Sequence, residues 1–319
     1  LAWAADLLNN LGVLQQQRGD YEKAAENFER AIEYARLSNS PQAESLSLTS
    51  LGDLYRDLDA AQEALNVYKE AQSIAKQLNN GFLLFYLDLA EGVLNRLSGD
   101  LVKARVMFES AEKKASESGS AYMGFLINSE IALLHLAQSK YGLALESAQK
   151  AYDFFEAGGH ENESLRAAFT VTMALAGQGD KDQALTHLEK VMGTLMENDY
   201  ATPLIVQGRE FMRALSAVKG RHELKRQFSR ILERVETFEE RLPEMRRKIR
   251  RQATIVPFAP PRMIIQSFGK AQVHLSNKLI SNSDWQTQTS RDMFFLFLAH
   301  PEGLTKEQVG LYFWPDATP

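Results

Sequence analysis

The chain has 319 residues, 45% hydrophobic and 24% charged, which is typical of a folded globular protein and excludes an intrinsically disordered chain. It contains no cysteine, which excludes disulfide bonds, thiol catalysis and cysteine-ligated zinc. The net charge of −5 divides into −10 over residues 1–219 and +5 over residues 220–319, which suggests two parts with different tasks.

Targeting signals are absent from the sequence as given. No apolar run approaches the ~18 residues that a membrane helix needs, so we expect no membrane association. The lack of cysteine fits a reducing, cytoplasmic location. The chain begins at Leu1 without a signal-like segment, and we therefore expect it to be part of a longer protein.

The first two thirds of the chain repeat with a period of 40 residues. One column holds small residues, at Ala24, Ala64, Ala104, Ala144 and Ala184. Four positions later stand mostly large side chains, at Phe28, Tyr68, Phe108, Ala148 and Leu188. An upstream column begins with glycines, at Gly12, Gly52 and Gly92. A period in this range is typical of a solenoid of stacked structural repeats.

Each repeat has the pattern of a helical hairpin. Spacings of four and three residues place the small and large side chains on one face of a helix. Gly-Asp pairs interrupt the pattern at residues 19–20, 99–100 and 179–180, where a turn between two helices is expected. One hairpin cannot bury its apolar face alone, so the sequence predicts a mainly α fold, a right-handed α-solenoid of 40-residue hairpins. We assign residues 1–240 to it, with five clear repeats and a degenerate sixth.

These columns resemble the tetratricopeptide repeat, although that family usually repeats every 34 residues or so. The resemblance implies a concave groove lined by the first helix of each hairpin, which would receive a protein or small-molecule effector. The candidate groove residues at matching positions are Asn9, Asn10, Gln16, Asp53, Arg56 and Arg96. The alternative is that these are solvated side chains with no dedicated ligand.

A basic, proline-containing junction follows the repeats. From Lys225 to about Arg251 the pattern predicts one or two charged helices, with a start or kink at Pro243. We assign residues 241–262 to a linker. Its cationic run suggests contacts to DNA phosphates from Arg246, Arg247, Lys248, Arg250 and Arg251. The alternative is a solvated helix face balanced by nearby glutamates.

In residues 263–319 the hydrophobic pattern changes from that of helices to the shorter alternation of β-strands. Strand patterns flank Gly269 and recur near Leu279. Thr289 or Ser290 is placed to cap a first helix, and the spacing of Thr305 and Gln308 fits the capping box of a second one. The order is therefore a small sheet followed by two helices, which makes a small α+β domain.

This segment resembles the OmpR/PhoB-like winged helix, in the form found in the SARP/BTAD family of bacterial transcriptional regulators. The matching residues are Phe268-Gly269, Val273, Trp285, Thr289, Arg291, Asp292, Leu296, His300-Pro301, Thr305-Lys306-Glu307 and Phe313-Trp314-Pro315-Asp316. The resemblance implies that the recognition helix and the wing would lie beyond Pro319, so the domain is incomplete here. Arg291 and Lys306 become candidate phosphate contacts; the alternative is salt bridging or plain solvent exposure.

No motif supports catalysis, a metal site or a cofactor. The six histidines are scattered without metal-ligand spacing, and no phosphate-binding loop or nucleophile elbow occurs. We therefore predict a non-enzymatic fragment of a bacterial transcriptional regulator, able to form homo-oligomers, whose solenoid controls a DNA-binding output. The alternative is a protein–protein interaction scaffold that never binds nucleic acid.

Overall fold

The protein is described by a computed structural model in which the chain divides into two compact units, Leu1–Ala259 and Pro260–Pro319. The described residues are 1–180, 182–189, 209, 229–253, 263–275 and 278–315. The sixth repeat that we expected lies mostly outside them.

The first unit is a succession of helical hairpins. The helices are α1 (Ala2–Gln17), α2 (Tyr21–Leu37), α3 (Pro41–Asp57), α4 (Ala61–Gln77), α5 (Gly81–Leu97), α6 (Leu101–Ser118), α7 (Ala121–Ala137), α8 (Tyr141–Ala157) and α9 (Glu161–Gln178). Residues 182–189 are helical again. Each helix packs mainly on its neighbours in the chain, and equivalent helices from α2 onwards begin 40 residues apart. The predicted solenoid of 40-residue hairpins is confirmed.

The turn within each hairpin contains a residue in the left-handed backbone region. This residue is Gly19 in the first repeat and Gly99 in the third, with φ angles of 82° and 84°. In the second and fourth repeats Asp59 and Ser139 adopt the same region, at 56° and 58°. The Gly-Asp pairs therefore mark the turns between helices, as predicted. Glycine suits these positions because it adopts positive φ without a steric penalty.

The glycine column exists because an aromatic ring packs on the backbone of the first helix. A Cβ atom at Gly12, Gly52 or Gly92 would lie 2.3–2.6 Å from a ring carbon of the aromatic residue 16 positions later in the chain. These rings, Phe28, Tyr68 and Phe108, are fully or almost fully buried. The two repeating columns therefore encode one contact, which joins the two helices of each hairpin.

Helix α10 (Ser229–Gln252) differs from the expected linker, and it contains Pro243, where a helix start or kink was predicted. The helix runs through Pro243, which is exposed, and residues 241–252 belong to it. The physical reason is a stripe with alternating spacings of three and four residues, all buried, at Val235, Phe238, Leu242, Met245 and Ile249. Apart from Val235, these side chains join the core of the first hairpins, and the Phe238 ring lies 5.5 Å from that of Tyr21.

The second unit contains a three-stranded antiparallel sheet and two helices. The strands β1 (Met263–Gln266), β2 (Gln272–Leu275) and β3 (Lys278–Leu279) lie in the order β1-β2-β3, with Ile264 opposite His274. The helices are α11 (Gln288–Ala299) and α12 (Lys306–Phe313). The predicted order of elements is confirmed.

Of the two predicted helix caps, one is confirmed and one is wrong. The capping box of Thr305 and Gln308 is confirmed. The prediction that Thr289 or Ser290 caps α11 is wrong, because the Thr287 side chain accepts the hydrogen bond from the Ser290 backbone N–H. Among the described residues of this unit, only Val273 is fully buried, while Phe268, Leu311 and Trp314 are exposed.

In the described part of the chain, no helix combines the length and the apolar character that crossing a bilayer demands.

Candidate functional site

A cavity of about 500 Å³ lies in the first unit, and the first helix of each hairpin supplies its wall. The six predicted groove residues, Asn9, Asn10, Gln16, Asp53, Arg56 and Arg96, all line it. The other lining residues follow the same 40-residue register: Thr49, Leu89 and Ser129 correspond to Asn9, and Ser50, Ala90 and Glu130 correspond to Asn10. The repeat therefore brings equivalent positions of α1, α3, α5 and α7 to one surface, which we call the groove.

The chemistry of the groove changes along the solenoid. Helices α1 and α3 contribute mainly polar and charged side chains, among them Asn9, Asn10, Gln16, Gln17, Thr49, Ser50, Asp53, Arg56 and Asp57. Helices α5 and α7 contribute mainly apolar side chains, among them Phe82, Leu89, Val93, Leu126 and Leu133, together with the charged Arg96 and Glu130. Helix α9 adds Asn162, Glu163 and Arg166. A ligand that lies along the groove would therefore meet polar and charged side chains at both ends and a mainly apolar section between them.

Asp53 is the centre of a polar cluster in the groove. One of its oxygens, Oδ1, accepts hydrogen bonds from Arg56 Nη1 at 2.7 Å and from the Tyr68 hydroxyl at 2.6 Å. The other oxygen, Oδ2, accepts from the Tyr86 hydroxyl at 2.8 Å. The Asp53 charge and burial both raise the pKa of Tyr86, and burial followed by the Asp53 charge raises the pKa of Tyr68. Both phenols therefore stay neutral donors.

Asp57 lies beside this cluster at the end of α3. Its Oδ2 accepts a hydrogen bond from Gln16 Nε2 at 2.7 Å, and its Oδ1 accepts one from Arg56 Nη2 at 3.2 Å. Burial raises the pKa of the Asp57 carboxyl, and the Arg56 charge opposes that shift. Gln16 therefore ties the first hairpin to the second through the Asp57 carboxylate, which Arg56 of the same helix also contacts.

Glu130 links three successive hairpins across the groove. It accepts hydrogen bonds from Arg96 of α5 at 3.1 Å and from Arg166 of α9 at 2.9 Å. Only about 5% of the Arg96 and Glu130 side chains is exposed, whereas Arg166 remains 41% exposed. Glu130, Arg166 and Tyr86 line the groove but were not among the predicted groove residues. The signal was present, because Glu130 corresponds to Asn10 in the repeat, and Tyr86 and Arg166 share a further column.

Asn9 carries a buried polar atom that has no partner among the described residues. The side chain lines the groove and is 3% exposed, yet its Oδ1 accepts no hydrogen bond from the described part of the chain. A buried acceptor left unpaired costs about 1–3 kcal/mol. Asn9 is therefore suited to accept an N–H group from a ligand.

The candidate DNA-contacting residues of α10 lie in two settings. Arg246 is partly buried, which lowers its pKa, and it faces the Glu63 and Asp59 carboxylates. Lys248 Nζ lies 3.2 Å from Glu22 and 3.3 Å from Glu244. Of the remaining three residues, Arg250 is partly buried, and Arg247 and Arg251 are exposed.

The two candidate phosphate contacts of the second unit, Arg291 and Lys306, differ in their surroundings. Arg291 Nη2 donates a hydrogen bond to the Ala271 carbonyl at 3.2 Å, and the guanidinium lies 6.0 Å from the centre of the Phe295 ring. Lys306 is exposed at the start of α12. Among the described residues, no three His, Asp or Glu side chains are grouped so that they could hold a metal ion.

Residues 3–77, which span α1 to α4, match the tetratricopeptide repeat family model. The fold is similar to the crystal structure of a Rap protein complexed with competence and sporulation factor, with a TM-score of 0.57 and 16% identity over 78% of this chain and 77% of that one. It is also similar to the Rap conjugation gene regulator of plasmid pLS20 in complex with the Phr* peptide, with a TM-score of 0.54 and 18% identity over 75% and 73%. No curated protein matches the sequence. The chain thus carries tetratricopeptide repeats in a solenoid of the tetratricopeptide type.

Proposed function

We propose that this chain is the sensing part of a bacterial transcriptional regulator, in which the groove binds an extended peptide or protein segment. The observation that carries the proposal is the groove itself, since successive hairpins line one surface with amides, hydroxyls, apolar side chains and buried charged pairs. Tetratricopeptide solenoids are typically scaffolds for protein interaction, and we propose no catalytic role.

An extended polypeptide suits this surface for three reasons. Amide side chains such as Asn9 and Asn10 can pair with the backbone of a peptide, whose N–H and C=O groups otherwise lose their water partners. The apolar section around Phe82 can bury a side chain of the ligand. Two structures with a similar fold are complexes, one with competence and sporulation factor and one with the Phr* peptide.

Selection from a random peptide library tests this proposal. Peptides recovered on the wild-type chain are measured by calorimetry against two variants, Phe82→Ala in the groove and Val102→Ala on α6. Both side chains are more than half exposed, but only Phe82 lines the groove. We expect Phe82→Ala to weaken binding about tenfold, as for a central contact residue, and Val102→Ala to leave it unchanged. Failure to recover any peptide, or equal effects of both variants, would refute peptide capture in the groove.

The DNA-binding output is the second half of the proposal. It is supported by the resemblance of the last residues to a winged helix and by the succession of β1, β2, β3, α11 and α12. Exposed cations at Arg247, Arg251 and Lys306 are available to phosphates. In this proposal a ligand in the groove changes the curvature or the self-association of the solenoid, and so changes how the second unit meets DNA.

The alternative function is an interaction scaffold that does not bind nucleic acid. One observation favours it: Lys248 pairs with Glu22, and Arg246 faces Glu63 and Asp59, so part of the basic run neutralises acidic residues of the solenoid. Salt-dependent DNA binding by the chain distinguishes the two functions, since phosphate contacts release counterions.

A further inference from the structure

The first helix of each inner hairpin buries the face that packs on the preceding hairpin. Helices α3, α5, α7 and α9 contact α2, α4, α6 and α8, respectively. The column that corresponds to Leu7 is at most 1% exposed in all four of these first helices, at Ser47, Leu87, Ile127 and Ala167. Ile127, for example, shares a core with Ala111 and Ala115 of α6. The 40-residue register thus defines the face of a first helix that a second helix covers.

Helix α1 leaves the same face exposed. Trp3, Leu7 and Leu11 lie on it at spacings of four residues and are 79%, 56% and 42% exposed. The equivalent residues of α3 are all buried: Ala43, Ser47 and Leu51. We call these three side chains of α1 the α1 face. A solenoid end that stays in water is expected to be polar, but Asp6 is the only charged residue of α1. The α1 face therefore has the character of a surface that another helix covers.

The spacing of the α1 face suits a second copy of this chain. A row of side chains at positions i, i+4 and i+8 is symmetric about its middle residue. When two copies pack antiparallel about a two-fold axis at Leu7, each Leu7 meets its counterpart, and Trp3 meets Leu11 of the partner subunit. Every exposed side chain of the row is then covered by another one. Since Asp6 is the only charge on the helix, the pairing also brings few like charges together.

We propose that the α1 face is the interface of a homodimer, formed by antiparallel packing of α1 on the same helix of a second copy. Removal of these large apolar side chains from water drives the association. Trp3 is the largest and the most exposed of them, so it is expected to contribute most. The α1 face lies outside the groove, which Asn9 and Asn10 of the same helix line. The dimer therefore goes beyond the proposed function and does not depend on it.

Analytical ultracentrifugation of the full chain tests the dimer. With rising protein concentration we expect the wild-type mass to increase from 35.9 kDa towards twice that value. Leu7→Asp brings two carboxylates together at the two-fold axis and should weaken association about a hundredfold. The matched control, Val102→Asp, replaces an apolar residue of α6 that is 77% exposed, and it should leave association unchanged.

Both substitutions replace exposed residues, so the fold should persist in each variant, and circular dichroism checks that it does. The mass of a single chain at every concentration up to the solubility limit would refute the dimer and leave the α1 face to a different helix. Equal weakening by Leu7→Asp and Val102→Asp would refute the interface.

The absence of native cysteine allows single thiols to test the antiparallel geometry. On mild oxidation Leu7→Cys should form a disulfide-linked dimer, because residue 7 meets its own counterpart. Trp3→Cys alone and the control Val102→Cys should not, whereas a mixture of Trp3→Cys and Leu11→Cys should form the mixed dimer. Mass spectrometry identifies each product. Linking of Trp3→Cys to itself as fast as Leu7→Cys, or no linking in the mixture, would contradict the two-fold pairing. Neither test uses a groove ligand, so their failure would leave peptide capture untouched.

Discussion

Tyr68 donates a hydrogen bond to Asp53 across 2.6 Å, from the second helix of the second hairpin to the first. The ring of the same tyrosine packs on the backbone at Gly52. The Tyr68 side chain therefore takes part both in the ring contact that defines the repeat and in the polar cluster that lines the groove. Substitutions at Tyr68 and Asp53 measure separately what the ring and the hydrogen bonds contribute to stability.

Removal of the Asp53 carboxylate should be strongly destabilising. Asp53→Ala leaves the buried Arg56 guanidinium without its closest carboxylate and both Tyr68 and Tyr86 without an acceptor. We expect a loss of about 3–5 kcal/mol in the free energy of unfolding. Tyr68→Phe keeps the ring and removes the 2.6 Å hydrogen bond to Asp53 together with a long 3.5 Å one from Arg56, so it should cost about 1 kcal/mol. Urea unfolding measures both, and equal losses would mean that Asp53 is not the centre of the cluster.

Asp57 should respond to pH in the opposite sense from a carboxylate stabilised by ion pairs. Because burial raises its pKa, the folded chain holds the proton more tightly than the unfolded chain does. That contribution to stability is present below the unfolded pKa of about 3.9 and is lost as pH rises through the folded value. Asp57→Asn does not titrate, so its stability relative to the wild type should increase between about pH 4 and pH 7. Thermal unfolding of both chains across that range measures the difference in stability. A decrease in the stability of Asp57→Asn relative to the wild type with rising pH would contradict the prediction.

Two glycine substitutions should act in opposite directions. In Gly92→Ala the new Cβ would lie 2.4 Å from the Phe108 ring, so we expect a loss of about 1–3 kcal/mol from overpacking. Gly124 also lies within a helix, α7, but a Cβ there meets no atom within 4 Å. Gly124→Ala should therefore stabilise the chain by up to about 1 kcal/mol, through helix propensity alone. Denaturant midpoints compare the two, and destabilisation by both would show that the ring contact is not the cause.

The hairpins and the groove surface were predictable because a 40-residue period carries both. Once Asn9 and Asn10 are placed on the inner face, the period itself leads to Ser50 and Glu130. The partners of these residues were harder to foresee. Tyr68 belongs to the packing column, and only the close approach of α3 and α4 brings its hydroxyl to Asp53.

The docking of α10 could not be derived from the repeat. Its charged sequence fits a solvated helix equally well, and Pro243 suggested a start or kink. The position of α10 depends on a contact between Phe238 and Tyr21, which are far apart in the chain, and on acidic residues at the turns of the solenoid. Long-range docking of this kind depends on how the hairpins stack, which no local pattern specifies.

Charge removal on α10 distinguishes the regulator from the scaffold. Arg247, Lys248 and Arg251 are the exposed members of the basic run, and Lys248 is paired with Glu22 and Glu244. Replacement of Arg247 and Arg251 by alanine should weaken binding to duplex DNA. Each lost phosphate contact reduces the magnitude of the slope of log K against log salt by about 0.9. The slope measured for the double variant should therefore be smaller in magnitude than that of the wild type by about 1.8. The matched control removes two exposed lysines of α6, Lys103 and Lys113, and changes the net charge equally. Fluorescence anisotropy over a salt series gives both slopes. Equal losses would indicate a general charge effect, and an absence of salt-dependent binding by the wild-type chain would favour the scaffold.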